Sequence, residues 1–338
     1  MNTIQENVAL RAFNTFGIGV FARYFAEFAS VEELDDLLAW AGGRESIILG
    51  GGSNVLFTKD VDGLVARNAI KGIELVDEDD YYVYVRAGAG EIWQEFVAHC
   101  IGRDWAGVEN LSLIPGSVGA APMQNIGAYG VELKEVFFEL EAWHIEEKKV
   151  YTFSLNDCAF GYRESVFKHQ YRGQFVILNV TFRLGKKAVF RTEYGAIKEE
   201  LERMGVKDLS IRAVSDAVKA IRRSKLPDPA VIGNAGSFFK NPTIPDEQFD
   251  ILQAEYTDIV GYHNNGTDTT KLAAGWLIEQ CGWKGFRRGD AGVHARQALV
   301  LVNYGSATGQ EIYDLSQEVL DSVKEKFGVE LEREVNIL

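Results

Sequence analysis

The chain has 338 residues, of which 46% are hydrophobic and 25% are charged, so it can bury a core and form two or three compact units. Lysine and arginine total 35 against 49 aspartate and glutamate, and the net charge of -14 argues against a nucleic-acid partner, because a polyphosphate would be repelled. There is no signal-like start, no run of 18 apolar residues and no CxxC among the three cysteines, so we expect a cytoplasmic protein without membrane attachment, disulfides or a zinc site.

The first predicted elements are a helix and a strand. SVEELDDLLAWA predicts an amphipathic helix with Ser30 as N-cap and Glu33 closing a capping box, and SIILG predicts a buried strand. Strand-like segments separated by turns follow between residues 64 and 86, and EIWQEFVAHCIG predicts a second helix. This order is α+β, without strict βαβ alternation.

The later elements indicate a division of the chain. The segments FFELEAWHI, KVYTFSL and QFVILNVTFRL predict strands, and AIKEELERMG and RAVSDAVKAIRRSK predict amphipathic helices. KLPDP then holds two of only six prolines, which favours a domain boundary near residue 222. Beyond it we predict helices around Gln248, Ala274 and Ser316, and strands at ALVLVN and VELEREVNIL.

Two glycine-rich segments are candidates for binding an anion. ILGGGSNVLF follows a strand, so its backbone N–H groups could surround a pyrophosphate, although a tight turn would also explain it. It has neither the GK[ST] of a Walker loop nor the third glycine of a Rossmann fingerprint. PGSVGAAP offers a second such loop, and two loops suggest a long dinucleotide, with close packing as the alternative.

Two basic segments could bind an acidic ligand. In FGYRESVFK, the planar fork of Arg163 beside aromatic rings suits a carboxylate, and a surface ion pair is the alternative. In IRRSKLPDP, the cations Arg222, Arg223 and Lys225 suit a phosphate-bearing substrate, although a solvated helix end would also favour them.

The remaining candidates are one hydroxyl, two carboxylates and one histidine. GNAGSFFKNP presents Ser237 after two glycines and before two rings. LEREV offers Glu332 and Glu334 on one strand face, and the sequence leaves open which one is desolvated. His294 is more typical of a structural histidine with satisfied polar atoms than of a ligand, and no HExxH or GxSxG motif is present.

Taken in order, the motifs resemble one enzyme family. NTFGIG, ILGGGSNVLF, IPGSVGAAPMQNIGAYG, GYRESVFK, GNAGSFFKNP, KLAAGWLIEQCGWKG and GVHARQALVLVN are similar to those of the UDP-N-acetylenolpyruvoylglucosamine reductases, flavoproteins of peptidoglycan precursor synthesis. GYRES and a candidate TEYG loop at residues 192–195 resemble the type I form. The resemblance runs from Asn14 to Glu334, nearly the whole chain.

The resemblance implies a fold and a domain division. We expect an FAD-binding fold of the vanillyl-alcohol oxidase and p-cresol methylhydroxylase type, with two α+β subdomains, and a smaller α+β substrate domain. The implied bounds are 1–69 for the first FAD subdomain, with the C-terminal strand 331–338 nearby, 70–222 for the second and 223–330 for the substrate domain.

The resemblance also implies a reaction. NADPH would pass hydride to the N5 of a noncovalent FAD, and the reduced flavin would deliver it to the terminal enolpyruvyl carbon of UDP-N-acetylglucosamine enolpyruvate to give UDP-N-acetylmuramate. Ser237 would supply the proton, while Arg163 and Glu334 would stabilise the developing negative charge. The implied partner is thus a small-molecule UDP-sugar, and the expected state is a monomer.

Matching positions imply two further sets of residues. The residues implied to hold FAD are Gly50, Gly51, Gly52, Ser53, Asn54, Pro115, Gly116, Ser117, Val118, Gly119, Asn125 and Ile126. The residues implied to contact the UDP-sugar are Tyr162, Tyr194, Lys225, Asn241, Tyr262, Lys284 and Gln297. One departure is Arg333, which stands where the resemblance predicts a proline between the two glutamates.

Two alternatives remain. Another flavoprotein of the same fold, such as a sugar or aldonolactone oxidase, would need oxygen reactivity and often a histidine that holds flavin covalently, but GGGSNVLF contains no histidine. A flavin- or nucleotide-sugar-binding module without catalysis is disfavoured by the joint presence of Ser237, Arg163 and Glu334.

Overall fold

A computed structural model describes residues 3–194, 196–264 and 266–338. The strands are β1 (Gln5–Ala9), β2 (Phe21–Phe28), β3 (Ser46–Leu49), β4 (Val55–Leu56), β5 (Val61–Asn68), β6 (Ile73–Glu78), β7 (Tyr82–Gly88), β8 (Gly127–Ala128), β9 (Val131–Glu132), β10 (Phe137–His144), β11 (Lys149–Ser154), β12 (Phe175–Gly185), β13 (Thr243–Pro245), β14 (Gly261–His263), β15 (Thr269–Leu272), β16 (Arg287–Arg288), β17 (Ala291–Val293), β18 (Leu301–Asn303) and β19 (Asn336–Ile337). The α-helices are α1 (Val31–Ala41), α2 (Trp93–Ile101), α3 (Ile197–Arg203), α4 (Ile211–Lys225), α5 (Asp246–Glu255), α6 (Ala274–Gln280) and α7 (Gly309–Phe327).

The chain divides into two compact units. The first consists of the described residues of Met1–Val8, Ala22–Gly52 and Val61–Ser224. The second consists of Ala9–Phe21, Ser53–Asp60 and the described residues of Lys225–Leu338. Two short N-terminal segments therefore belong to the same unit as the C-terminal part of the chain.

The first unit contains a sheet with strand order β1-β2-β5-β3, in which β2 and β3 both run parallel to β5. Helix α1 packs on it through Leu34 and Leu37, which are buried with Phe28 and Leu64. The predicted N-cap is confirmed, because the Ser30 hydroxyl accepts the Glu33 N–H at 3.2 Å. The Glu33 carboxylate accepts the N–H of Ala29 at 2.7 Å, one residue before the predicted partner.

The second sheet of the first unit is antiparallel, with order β11-β10-β12-β7-β6. Its core includes the rings of Trp93, Phe96 and Phe182, with the Phe96 and Phe182 centroids 4.5 Å apart. The Trp93 indole N–H donates to the Leu111 carbonyl at 2.9 Å, so this large ring is buried with its polar atom satisfied. Both sheets supply loops to the candidate site.

The second unit is built from small sheets and α7. Two three-stranded sheets have the orders β13-β15-β14 and β16-β17-β18, and β4 pairs with β19 in parallel. Helix α7 begins with a capping box between Thr308 and Glu311 and ends at Gly328, which has a φ of 63°. A side chain on Gly309 would collide with the Phe57 carbonyl, so α7 lies close to the segment before β5.

Two predicted strands are shorter than expected. The C-terminal strand predicted over VELEREVNIL is regular only at β19, with one isolated bridge between Phe239 and Arg333. ALVLVN contains only the three residues of β18. In the C-terminal segment the irregular backbone carries Glu332 and Glu334, and irregular backbone is common where side chains are positioned for function.

Candidate active site

The glycine-rich segment after β3 lies against the second glycine-rich loop within the first unit. A Cβ atom added at Gly50 would lie 2.5 Å from the Ser117 hydroxyl oxygen, and one added at Gly51 would lie 2.9 Å from the Gly116 Cα. Gly116 has a φ of 120°, which favours glycine. The backbone of Gly50 therefore meets the Ser117 side chain and that of Gly51 meets the Gly116 backbone, with no room for a Cβ atom on either glycine.

Backbone hydrogen bonds join the later part of the second loop to the segment before α2. The N–H of Val118 donates to the Glu91 carbonyl at 2.8 Å, and the N–H of Gly119 donates to the Ala89 carbonyl at 2.9 Å. Val118 is fully buried. These two N–H groups thus serve the fold, whereas Gly116 and Ser117 lie at the point where the two loops meet.

Asn125 connects this loop to the GYRES segment. Its φ is 43°, a conformation that asparagine tolerates better than most residues. Its side-chain oxygen accepts the Lys134 N–H at 3.0 Å, and its amide donates to the Gly161 carbonyl at 2.9 Å. The next residue, Ile126, donates its N–H to the Ala121 carbonyl and is buried. The side-chain amide of Asn125 and the N–H of Ile126 are therefore used to position neighbouring loops. These are the polar groups with which the two residues could otherwise contact a ligand.

Arg163 lies in a left-handed backbone conformation, with a φ of 57°. Its guanidinium donates to the Gly127 carbonyl at 2.9 Å and lies 5.3 Å from the centroid of the Tyr162 ring. Ser165 donates to the Met123 carbonyl at 2.6 Å, so the two loops are joined on both sides of Arg163. A left-handed non-glycine residue held by its surroundings is a frequent feature of functional sites.

A second arginine contributes charge near Arg163. Burial lowers the pKa of Arg222, the Tyr129 hydroxyl raises it, and the positive charge of Arg163 lowers it. The Arg222 Nε donates to the Leu113 carbonyl at 3.1 Å. Burial likewise raises the pKa of Tyr129. Because the positive charges of Arg163 and Arg222 repel each other, this region is suited to a negatively charged carboxylate or phosphate.

Arg222 is one of the three cations that the sequence offers for a phosphate-bearing substrate, whereas Tyr129 is not among the predicted site residues. The basic pattern IRRSK did signal Arg222, but a helical pattern does not tell which cation turns inward, and Arg223 and Lys225 prove to be exposed. Tyr129 has a φ of 51°, which no sequence pattern indicates for a tyrosine.

Tyr194 follows a segment fixed by a buried asparagine. The Asn110 amide donates to the carbonyls of Tyr129 and Arg191, at 2.9 and 2.8 Å. The Tyr194 Cβ lies 3.1 Å from the position that a Cβ on Gly130 would take, and the residue is 58% exposed. Gly195, the last residue of the predicted TEYG loop, lies outside the described residues.

In the second unit, Ser237 lies in a turn that its neighbours determine. The Asn234 side-chain oxygen accepts the Gly236 N–H at 3.0 Å, and Gly236 has a φ of 72°. A side chain on Gly233 would collide with the Phe16 carbonyl oxygen. Both glycines are therefore needed to place Ser237, which is half-buried.

The segment after Ser237 pairs with the segment that contains Glu334. The Glu334 N–H donates to the Phe238 carbonyl at 2.8 Å, and the Lys240 N–H donates to the Glu332 carbonyl at 2.9 Å. The Asn54 side chain donates to the Glu334 carbonyl at 3.3 Å. The fold thus brings the chain segments of Ser237 and Glu334 side by side.

The two glutamates of LEREV differ in their surroundings. The Glu332 side chain is 73% exposed and pairs with the Lys240 ammonium at 3.0 Å. Glu334 is half-buried, as Ser237 is. The structure therefore distinguishes two carboxylates that the sequence pattern treats alike.

The predicted sugar contacts of the second unit occupy several places. The Asn241 side-chain oxygen accepts the N–H of Ala274 at 3.0 Å, and the Gln297 side-chain oxygen lies 3.1 Å from the Cβ position of Gly275. Asn241 and Gln297 therefore both lie at the first turn of α6. Elsewhere in this unit, Tyr262 is exposed on β14 and Lys225 is exposed at the end of α4. Lys284 follows α6, and its ammonium pairs with the Glu279 carboxylate at 2.8 Å.

Two family models match this chain. The model of an FAD binding domain matches residues 22–146, and the model of the UDP-N-acetylenolpyruvoylglucosamine reductase C-terminal domain matches residues 228–338. A curated UDP-N-acetylenolpyruvoylglucosamine reductase of Amoebophilus asiaticus is 51% identical over 337 residues, 99% of each chain. The chain belongs to this reductase family. A member from Pseudomonas syringae pv. tomato is 50% identical over 336 residues, which cover 99% of this chain and 98% of that one.

The fold of the reductase family is confirmed. The crystal structure of a UDP-N-acetylenolpyruvylglucosamine reductase from Thermus caldophilus has a TM-score of 0.70 and covers 100% of this chain and 99% of that one, at 23% identity. The expected α+β architecture with an FAD-binding domain and a separate C-terminal family domain is therefore correct.

The first unit fits the FAD of the reductase family. Its two glycine-rich loops approach so closely that a Cβ atom on Gly50 or Gly51 would meet the other loop. Backbone without side chains is the surface that a pyrophosphate can approach most closely. FAD is accordingly the cofactor of the family to which this chain belongs.

His294 is buried, as expected of a structural histidine, but the expectation that its polar atoms are satisfied is wrong for one of its ring nitrogens. Within the described structure its Nδ1 has no hydrogen-bond partner. Burial lowers its pKa, and the charge of Arg296 lowers it further. Across the described residues, no group of three or more His, Cys, Asp or Glu side chains could hold a metal ion.

The cysteines and helices give two further findings. All three cysteines are free, and burial raises the pKa of Cys158 to about 12. Buried thiols with raised pKa values are unreactive, which fits the predicted packing role. In the part of the chain that the structure describes, no helix is long and apolar enough to cross a membrane.

Proposed function

We propose that this protein catalyses the NADPH-dependent reduction of UDP-N-acetylglucosamine enolpyruvate to UDP-N-acetylmuramate, a step of peptidoglycan precursor synthesis. The observation that carries the proposal is the backbone pairing of the Ser237 and Glu334 segments in a chain 51% identical to a curated reductase over its whole length. When bound, FAD takes up hydride from NADPH and supplies it to the enolpyruvyl group.

Ser237 has the role of proton donor. Addition of hydride to the terminal carbon leaves negative charge on the adjacent carbon and its carboxylate, so a proton must be supplied there. A serine hydroxyl is a weak acid in water, but an enolic intermediate is a strong base, and a positioned hydroxyl can serve where water is excluded. The fully buried rings of Phe238 and Phe239 directly after Ser237 support such an environment.

Arg163 and Glu334 have the role of stabilising that charge. A guanidinium donates in a fixed fork that matches a carboxylate, and the Arg163 backbone is held in one conformation by the loops around it. Glu334 is half-buried and its segment is paired with the segment after Ser237, which supports a role at the same reacting group. Fixed donors aimed at developing charge are usually the largest catalytic contribution.

The ligand contacts follow the same assignment. We propose that FAD lies against the two glycine-rich loops and the residues next to them: Gly50, Gly51, Gly52, Ser53, Asn54, Pro115, Gly116, Ser117, Val118, Gly119, Asn125 and Ile126. The proposed UDP-sugar contacts are Tyr162, Tyr194, Lys225, Asn241, Tyr262, Lys284 and Gln297. Residues 1–69 and 70–222 would form the FAD subdomains and residues 223–330 the substrate domain.

We further propose a cytoplasmic monomer with noncovalent FAD. The absence of a histidine in GGGSNVLF supports the noncovalent flavin. Release of the flavin on denaturation tests this attachment, and size-exclusion chromatography with light scattering tests the monomer.

The anaerobic visible spectrum tests the reaction. We expect the flavin band to bleach with NADPH and to recover when UDP-N-acetylglucosamine enolpyruvate is added. Bleaching without recovery would exclude this substrate and favour another sugar oxidoreductase. If no flavin band appeared even after reconstitution with FAD, the whole proposal would be wrong.

A further inference from the structure

The Arg333 side chain is anchored on one face of α7. Its Nε donates to the Ser316 hydroxyl and its terminal NH2 group donates to the Gln317 side-chain oxygen, both at 2.8 Å. Its guanidinium carbon lies 4.5 Å from the centroid of the Tyr313 ring. The three partners are three and four residues apart along the helix, so they lie on one face and hold a single guanidinium.

The partners of Arg333 are themselves fixed. Ser316 is fully buried, and its hydroxyl donates to the Tyr313 carbonyl at 2.6 Å, which leaves its oxygen to accept from Arg333. The Gln317 amide donates to Asp321 at 2.9 Å, which turns its oxygen toward Arg333. The arginine therefore meets a preformed set of acceptors.

The backbone of Arg333 lies between the two hydrogen bonds that pair its segment with the segment after Ser237. Those bonds run from Glu334 to Phe238 and from Lys240 to Glu332, so Arg333 and Phe239 face each other as the non-hydrogen-bonded pair. The pairing with Phe239 thus makes no use of the Arg333 N–H group. A contact that restrains Arg333 therefore also restrains Glu332 and Glu334, whose backbone groups form the two hydrogen bonds.

We infer that Arg333 is a positioning residue for the reductive step on the substrate: its contacts with α7 hold the backbone of residues 332–334, and thereby the relative placement of Ser237 and Glu334. This inference rests on the proposed function. The anchor restrains the backbone of a segment that is not a regular strand, because β19 begins only at Asn336. A displacement of about 1 Å at such a position can cost roughly 10²-fold in rate.

Stopped-flow measurement of the two half-reactions tests the inference. For Arg333→Ala we expect reoxidation by saturating UDP-N-acetylglucosamine enolpyruvate to slow roughly 10- to 100-fold, while reduction by NADPH is unchanged. Arg333→Pro should recover most of that rate. Proline fixes φ, and the missing N–H is not part of the pairing with Phe239, so the ring restrains the backbone without the contacts to α7.

Arg288→Ala is the matched control. Arg288 also ties a strand to α7, through two contacts of 2.7 Å with Glu318, but β16 carries no candidate catalytic residue. We expect both half-reactions of this variant to match the wild type. Equal slowing in Arg288→Ala and Arg333→Ala would show a general effect of loosening α7 and would overturn the inference.

Other outcomes are equally decisive. The inference is wrong if Arg333→Ala reoxidises at the wild-type rate, if both half-reactions slow equally, or if Arg333→Pro is as slow as Arg333→Ala at the same thermal midpoint. If wild-type protein were not reoxidised by the substrate at all, the proposed function would fail and the inference with it. Wild-type turnover combined with an unaffected Arg333→Ala would remove the inference alone.

Discussion

Two candidate regions of the molecule are fixed by different kinds of contact. The GYRES loop of the first unit is joined to the neighbouring glycine-rich loop by side chains, because the Asn125 amide donates to the Gly161 carbonyl and the Ser165 hydroxyl donates to the Met123 carbonyl. The turn around Ser237 in the second unit is joined to its neighbouring segments by backbone, because the N–H of Phe238 donates to the Leu299 carbonyl at 2.7 Å and the Phe238 carbonyl accepts from the Glu334 N–H.

The two regions therefore differ in which substitutions disturb them. A contact made by a side chain is lost with one substitution, whereas a backbone hydrogen bond survives most substitutions. The first region should therefore lose its arrangement when a residue such as Asn125 is changed. In the second, the backbone hydrogen bonds should survive replacement of the Ser237 side chain, so the chemical effect of that change can be measured with little structural disturbance. Arg333 is the exception in this region, because its side chain anchors the paired segment on α7.

The largest expected effect comes from Ser237→Ala. Because backbone bonds hold this turn, the variant should keep its fold and lose only the hydroxyl. We expect reoxidation by the enolpyruvyl substrate to slow roughly 10²–10⁴-fold, as for loss of a proton donor, with unchanged reduction by NADPH. Single-turnover absorbance of the flavin measures both rates.

The NADPH half-reaction is the internal control for Ser237→Ala. Equal losses in the two half-reactions would contradict the assignment of Ser237 as proton donor. A lower thermal midpoint of Ser237→Ala would show that the serine side chain is needed for the turn, and backbone hydrogen bonds alone would then not hold it.

Local signals explain what could be predicted from the sequence. The cap of α1 joins residues three apart, and the glycines before Ser237 are needed for their own turn, so both were visible in the sequence. Asn125 and Gly161 lie 36 residues apart, and Lys240 and Glu332 lie 92 apart. No periodic pattern encodes such pairs.

The roles within the site depended on the family resemblance. The pattern LEREV places two carboxylates on one face, and only the fold shows that Glu332 is exposed and paired with Lys240. The inward position of Arg222 and the anchor of Arg333 on α7 also depend on tertiary contacts. The sequence therefore indicates which segments form the candidate site, but it does not indicate which of their atoms are in contact.

Asn125→Ala tests the GYRES loop of the first unit, and its expected effect lies between that of Ser237→Ala and that of the pH change described below. The change leaves the Lys134 N–H and the Gly161 carbonyl without their partner, at about 1–3 kcal/mol, and puts alanine in a left-handed conformation, at roughly 1–2 kcal/mol more. We expect a lower free energy of unfolding in denaturant titration, and slower reoxidation because the loop of Arg163 is released.

Two variants serve as controls for Asn125→Ala. Asn125→Gly removes the same side chain without backbone strain, so it should be the milder of the two. Glu332→Gln removes the charge of the exposed Glu332 partner of Lys240 but keeps a side-chain oxygen that can accept from the lysine, so it should change the free energy of unfolding by less than Asn125→Ala does. An effect of Glu332→Gln as large as that of Asn125→Ala would mean that the two regions do not differ as described.

The smallest expected effect is a pH dependence in the second unit. Burial holds the pKa of His294 below its ordinary value of 6.5, so the unfolded chain takes up a proton at a higher pH than the folded protein does. The stability due to neutral His294 is therefore complete above pH 6.5 and is lost as the pH falls below it. Between pH 7.5 and 5.5 we expect the thermal midpoint to fall further for the wild type than for His294→Asn. Parallel midpoints would show that the His294 proton is not linked to folding, and a steeper fall in the variant would reverse the sign of the linkage.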